Sequence, residues 1–162
     1  MWFSNFIGNP KVMSINKEEL YLNCLEKVNA QINKYQGKLD EINEYNEENK
    51  MSPEYDEYGN KGEMLNEYEQ NVEHLDRARE MKETLANIDH THRSEVVRPG
   101  SVIETEDSYY YISVPLGEIQ MDSGSKVFAI STEAPIYKNL KGLKEGDSFV
   151  YNGKESRIVG LY

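Results

Sequence analysis

The stretch "MSPEYDEYGNKGEM", Met51 to Met64, crowds Glu54, Asp56 and Glu57 between the breakers Pro53, Gly59 and Gly62. Clustered carboxylates have two uses. Their oxygens ligate hard divalent cations, and they keep an exposed turn hydrated. Residue types alone leave both readings open. From Glu44 to Glu69 there are nine carboxylates against Lys50 and Lys61, a concentration of negative charge that suits a cation-lined partner. Other chemistry-bearing residues offer less. His90 and His92 stand two apart without nearby cysteines, and they read as exposed polar residues rather than a metal pair. Cys24 lies off the apolar seam described next and has no histidine in its sequence context, so it is not read as a nucleophile.

The acidic stretch is flanked by two helical patterns. Leu25, Val28, Ile32, Tyr35, Leu39 and Ile42 follow a three-four spacing, the 3.5-residue period of a coiled-coil seam. Asn16 followed by Glu19 supplies an N-terminal cap and box. Beyond the breakers, Leu65, Tyr68, Val72, Leu75, Ala78, Met81, Leu85 and Ile88 form a second, less regular stripe. Two such helices joined by a turn predict an antiparallel hairpin over residues 14–90, with its tip near 51–62. Residues 1–13 read as an N-terminal extension outside the main function.

"DHTHRSEVVRPG" contains the linker, residues 91–99, and the texture changes after it. The short runs "SVIETE", "SYYYISVPL", "KVFAIS", "DSFVYNG" and "SRIVGLY" are rich in β-branched and aromatic residues and punctuated by Gly, Asp, Asn and Ser. They predict a small antiparallel sheet over residues 100–162. Within "YNGKE", Asn-Gly tolerates the positive φ angles of a type I′ hairpin turn. Pro135 is expected in the first turn of a short helix covering the sheet. Lys138, Lys141 and Lys144 recur every three residues around that helix, as a solvated face or a contact for an acidic surface. The fold class is therefore α+β.

The formal net charge of −11 argues against direct DNA binding, which needs a basic stripe. No apolar run approaches the roughly 20 residues of a membrane span. The lone cysteine fits a reducing cytoplasm, and the opening residues make a poor signal peptide.

The segment "AISTEAPIYKNLKGLKEGDSFVYNGKESRIVGLY", Ala129 to Tyr162, resembles the C-terminal domain of the bacterial Gre family of transcription elongation factors. That family's consensus runs roughly I-S-x-x-S-P-I, then L-x-G, then G-D. Ile130, Ser131, Pro135, Ile136, Leu140, Gly142, Gly146 and Asp147 fill those places, and "RPGSVIET" resembles the family's opening strand. The order of a long helical hairpin before an FKBP-like sheet domain also matches, so the resemblance covers about Ser14 to Tyr162.

It implies a monomer that binds RNA polymerase. The sheet domain sits at the rim of the secondary channel, and the hairpin enters the channel. Acidic tip residues then help hold the polymerase's second Mg²⁺ and orient water for transcript cleavage. The protein would be no enzyme itself, would bind no cofactor of its own, and would meet nascent RNA only indirectly. The resemblance places Asp56 or Glu57 at the family's first acidic position, as catalytic and metal-binding candidates. The second position falls on Gly59 or Asn60, so a carboxylate is missing there. Docking is expected through Ser131, Glu133 and Pro135, where Glu133 replaces the family's frequent Asp or Asn. Whether cleavage is stimulated or the channel is only occupied stays open. A different reading is an FKBP-like binding or prolyl-isomerase module with a coiled-coil dimerisation arm.

Overall fold

The structure, a computed structural model, describes residues 15–49 and 60–162. Helix α1 runs Lys17–Asn49 and helix α2 runs Asn60–Asn87. The Asn16 side-chain oxygen accepts from the backbone N–H groups of Glu18 (3.0 Å) and Glu19 (3.2 Å), satisfying two donors that the first helical turn leaves unpaired. At 33 residues, α1 is about 50 Å long. Gly62, read above as a breaker, lies inside α2.

The two helices pack antiparallel. Tyr21 stacks on His90, Tyr35 stacks on His74, and Arg79 donates to Gln36. Val28, Leu39, Ile42, Leu75, Ala78 and Leu85 are buried, whereas Leu25, Ile32, Tyr35, Tyr68 and Val72 are half-buried and Leu65 is exposed. The seam is thus less continuous than the heptad spacing implies. Near its start α1 carries another buried face, Leu20, Cys24 and Val28, turned to the sheet. Cys24 lies off the heptad seam, as read, but on this other buried face, so it belongs to the core.

Six strands follow: β1 Val102–Thr105, β2 Tyr109–Ile112, β3 Gly117–Gln120, β4 Lys126–Ile130, β5 Ser148–Tyr151 and β6 Lys154–Leu161. Their order is β3-β4-β2-β1-β6-β5. The sheet is mixed rather than purely antiparallel, because β2 and β4 pair in parallel. The cause is β3, which lies outside β4 and forms an antiparallel hairpin with it through the Gly124 turn. The chain leaving β2 skips one position, and β4 returns in the same direction. The tight β5–β6 turn is as the sequence predicts, with Asn152 at φ 50° and Gly153 at φ 76°.

Side chains alternate across this sheet with the period of two that strands impose. Val102, Tyr111, Val127 and Ala129 share one core with Leu20, Cys24 and Val28 of α1 and Leu85 of α2. Ile103, Ile112, Ile158 and Leu161 form a second core with Phe149 and with Ile136, Tyr137 and Leu140 at helix α3, Tyr137–Leu140. The segment before the sheet joins this packing. Val97 is buried, donates to Leu143 and accepts from Gly142, so it is stitched to the loop after α3. Lys17 is also buried, its ammonium donating to the His92 carbonyl at 2.9 Å, and burial lowers its pKa. Among the described residues no helix is long and apolar enough to cross a membrane.

Candidate functional site

The loop leaving β4 is shaped locally. The Ser131 hydroxyl accepts from the Glu133 N–H at 3.2 Å, and the Ser131 carbonyl accepts from the Ala134 N–H at 3.1 Å. This folds residues 131–134 into a turn of the kind serine favours. Tyr137 then donates to Ala134 and Lys138 to Pro135, which starts α3. Pro135 stands just before that helix rather than in its first turn.

Several residues behind the sequence resemblance have clear structural work. Ile136 and Leu140 are buried. Gly142 and Gly146 have φ of 76° and 94°, a region that favours glycine, and their N–H groups bond to Val97 and Ile158. Asp147 accepts from the Lys144 N–H at 2.8 Å. By contrast, Glu133 and Pro135 are exposed and Ser131 is half-buried. Lys138, Lys141 and Lys144 are exposed beside them.

The loop also lines a cleft of about 550 Å³ between the sheet and the helices. Ser131, Thr132 and Glu133 form one wall, and the Tyr35–His74 stack, Glu80 and Met81 form the opposite one. Sequence reasoning missed that second wall. Its residues sit on two different helices, and no motif spacing connects them to the β4 loop. Ser113, also in this cleft, has a buried hydroxyl without a hydrogen-bond partner among the described residues.

Asp56 and Glu57, with Glu54, lie outside the described residues. Of their acidic neighbours, Glu44, Glu47, Glu48, Glu63, Glu67 and Glu69 are all exposed on the adjoining helix ends. Among the described residues no group of three or more His, Cys, Asp or Glu side chains is placed to hold a metal ion. His90 is half-buried, its ring parallel to Tyr21 with centroids 4.1 Å apart, so it packs rather than standing free in a linker. His92 is exposed and lies 3.4 Å from Asp89. Asp89 accepts two bonds from Thr91, which lower its pKa to about 2. Burial pushes the Cys24 thiol up to about 12, far from the ionised form a nucleophile needs.

No family model matches the chain, and no curated protein matches it. Among solved structures, it is similar to one described as the transcription factor Gfh1, at 20% identity over 86% of this chain and 94% of that one, with a TM-score of 0.37. It is similar to the GreA factor homolog 1 (Gfh1) protein of Thermus thermophilus at 21% identity, over 85% and 94% of the two chains, with a TM-score of 0.31. For Thermus aquaticus Gfh1 the identity is 21%, the coverage 87% and 95%, and the TM-score 0.33. Scores this low assign neither a function nor a partner to this chain.

Proposed function

We propose that this chain is a Gre-type regulator of RNA polymerase, docking by its sheet domain at the rim of the secondary channel and sending its helical pair down the channel. The observation that carries the reading is the loop Ser131 to Pro135, with Glu133 and Pro135 exposed, beside a pair of long antiparallel helices. This loop falls within the segment whose sequence resembles the Gre C-terminal domain. The fold spends Ile136, Leu140, Gly142, Gly146 and Asp147 on packing and turns. Glu133 and Pro135 are left at the surface for a partner.

In this reading Asp56 and Glu57 meet the polymerase's second Mg²⁺. An added carboxylate raises occupancy of a weakly held Mg²⁺ and orients the attacking water. The second acid of the family pattern is absent, since Gly59 and Asn60 stand there. Cleavage stimulation is accordingly slight, and occupation of the channel is the main effect. The alternative of an FKBP-like module with a dimerisation arm is less favoured, because α1 and α2 spend their apolar stripes on each other.

The test of the tip is the double substitution Asp56→Asn and Glu57→Asn, which removes charge at nearly constant size. If the tip acts through the metal, docking and occupation of the channel survive and the slight stimulation of cleavage disappears. A double variant with wild-type cleavage stimulation contradicts the metal role and leaves steric occupation of the channel.

A further inference from the structure

Strand β3 is an edge strand, and α1 runs along its outward side. On α1, Glu19, Asn23 and Lys27 recur every four residues and so share one face. The Lys27 ammonium donates to the carbonyls of Leu116 (3.0 Å) and Glu118 (3.1 Å). The Asn23 amide donates to the Gln120 carbonyl at 3.1 Å, and the Glu19 carboxylate accepts from the Asp122 N–H at 2.7 Å. Helix and strand run in opposite directions. Four helical residues rise about 6.0 Å and two strand residues about 6.6 Å, a mismatch that long side chains absorb. The helix therefore takes up three carbonyls and one N–H along this edge, groups of the kind that otherwise invite pairing with another chain.

Beside this ladder, Leu20, Cys24 and Val28 pack on Tyr111, Val127 and Ala129. Apolar packing is non-directional and tolerates sliding and tilt. Hydrogen bonds to successive carbonyls do not, because they need each donor within a narrow range of distance and angle. We infer that Glu19, Asn23 and Lys27 are positioning residues that fix the direction of the helical pair relative to the sheet domain. Their value to function rests on the polymerase reading above, in which docking one domain aims the other. From Lys27 to Asn49 the helix travels about 33 Å, so a roughly ten-degree tilt at the ladder displaces the far end by about 6 Å. A shift of that size removes a tip from an active site.

The experiment measures the distance between spin labels at Glu44→Cys and Glu155→Cys, both exposed positions, one far along α1 and one on the sheet. Cys24 is fully buried and takes no label while the chain is folded. With the ladder intact the distance distribution is a single narrow peak. Asn23→Asp sets a carboxylate against the Gln120 carbonyl, and Lys27→Met keeps the aliphatic stem without its donor. Together they spread or shift the distribution by about 6 Å or more, whereas Lys27→Arg keeps it narrow. A folded double variant with unchanged centre and width overturns the inference. If the double variant does not fold, Asn23→Asp alone is read the same way. Polymerase assays separate the two claims. The folded double variant should bind polymerase as wild type does, yet lose about fivefold or more of its effect on transcription. Failure of the wild-type chain to bind polymerase sinks the polymerase reading and leaves the distance measurement to decide the positioning role.

Discussion

Replacing Tyr111 by Phe should stabilise this protein. The side chain is fully buried where α1 meets the sheet, and its hydroxyl has no hydrogen-bond partner among the described residues. Burial, with Cys24 and Tyr21 close by, pushes the phenol's pKa upward. A buried hydroxyl left unpaired costs about 1–3 kcal/mol relative to its hydrated state in the unfolded chain. Phe keeps the ring, and the ring makes the contacts with the surrounding core. Against the recovered desolvation cost stand the few dispersion contacts of one oxygen, each worth about 0.1–0.2 kcal/mol. The net expectation is a gain of about 1 kcal/mol, which for a chain of this size raises Tm by about 2–4 °C. Urea unfolding followed by far-UV circular dichroism reads the change, with an unaltered slope showing that both proteins expose the same surface. Unchanged or lower stability refutes the reasoning, since the hydroxyl would then have a partner or be hydrated, and α1 would not cover the sheet as described.

Gly100→Ala should destabilise the fold by about 2–3 kcal/mol, combining the cost of a left-handed backbone with a displaced neighbour. Gly100 has φ +92°, and a Cβ there would meet the Asp89 carbonyl at 2.8 Å. A melting temperature equal to wild type contradicts this. Cys24 makes the fold sensitive to alkali. Its thiol is raised from 9.0 to about 12 by burial, so the stability it confers is intact below pH 9 and lost as pH rises toward 12. At about 1.4 kcal/mol for each pH unit, the loss reaches at most about 4 kcal/mol. Between pH 9 and 11 the urea midpoint of Cys24→Ala should fall less steeply than that of wild type, whereas parallel slopes exclude the thiol as the cause.

The features legible in the sequence were those fixed by local chemistry. Asn16 caps α1 because a short polar side chain can reach the free N–H groups of its own first turn. Asn152-Gly153 forms the β5–β6 turn because both residues tolerate positive φ. The division into helices and a β-rich half followed from hydrophobic period, and the fold class is α+β as read. Features created by tertiary contacts were hidden. Strand β3, "GEIQ", has Ile119 as its only buried residue and carries too little alternation to announce itself. Its insertion outside β4 is what makes the sheet mixed. The face formed by Leu20, Cys24 and Val28 has a four-residue spacing that the heptad seam obscured. The burial of Lys17 depends on a carbonyl 75 residues away in sequence. At the candidate site, Ser131, Glu133 and Pro135 could be named from motif spacing, but the facing wall of Tyr35, His74 and Glu80 exists only once the helices pack beside the loop.

The most direct test of the proposed role is equilibrium binding of the full chain to core RNA polymerase, measured alongside Glu133→Arg. Glu133 is exposed and lies outside the described hydrophobic cores, so Glu133→Arg should melt with wild type. The account predicts saturable binding by wild type, weakened by at least about tenfold in Glu133→Arg, which reverses the charge and enlarges the side chain at an exposed docking position. Absence of binding by the wild-type chain contradicts the polymerase reading, and equal binding by Glu133→Arg contradicts docking through this loop.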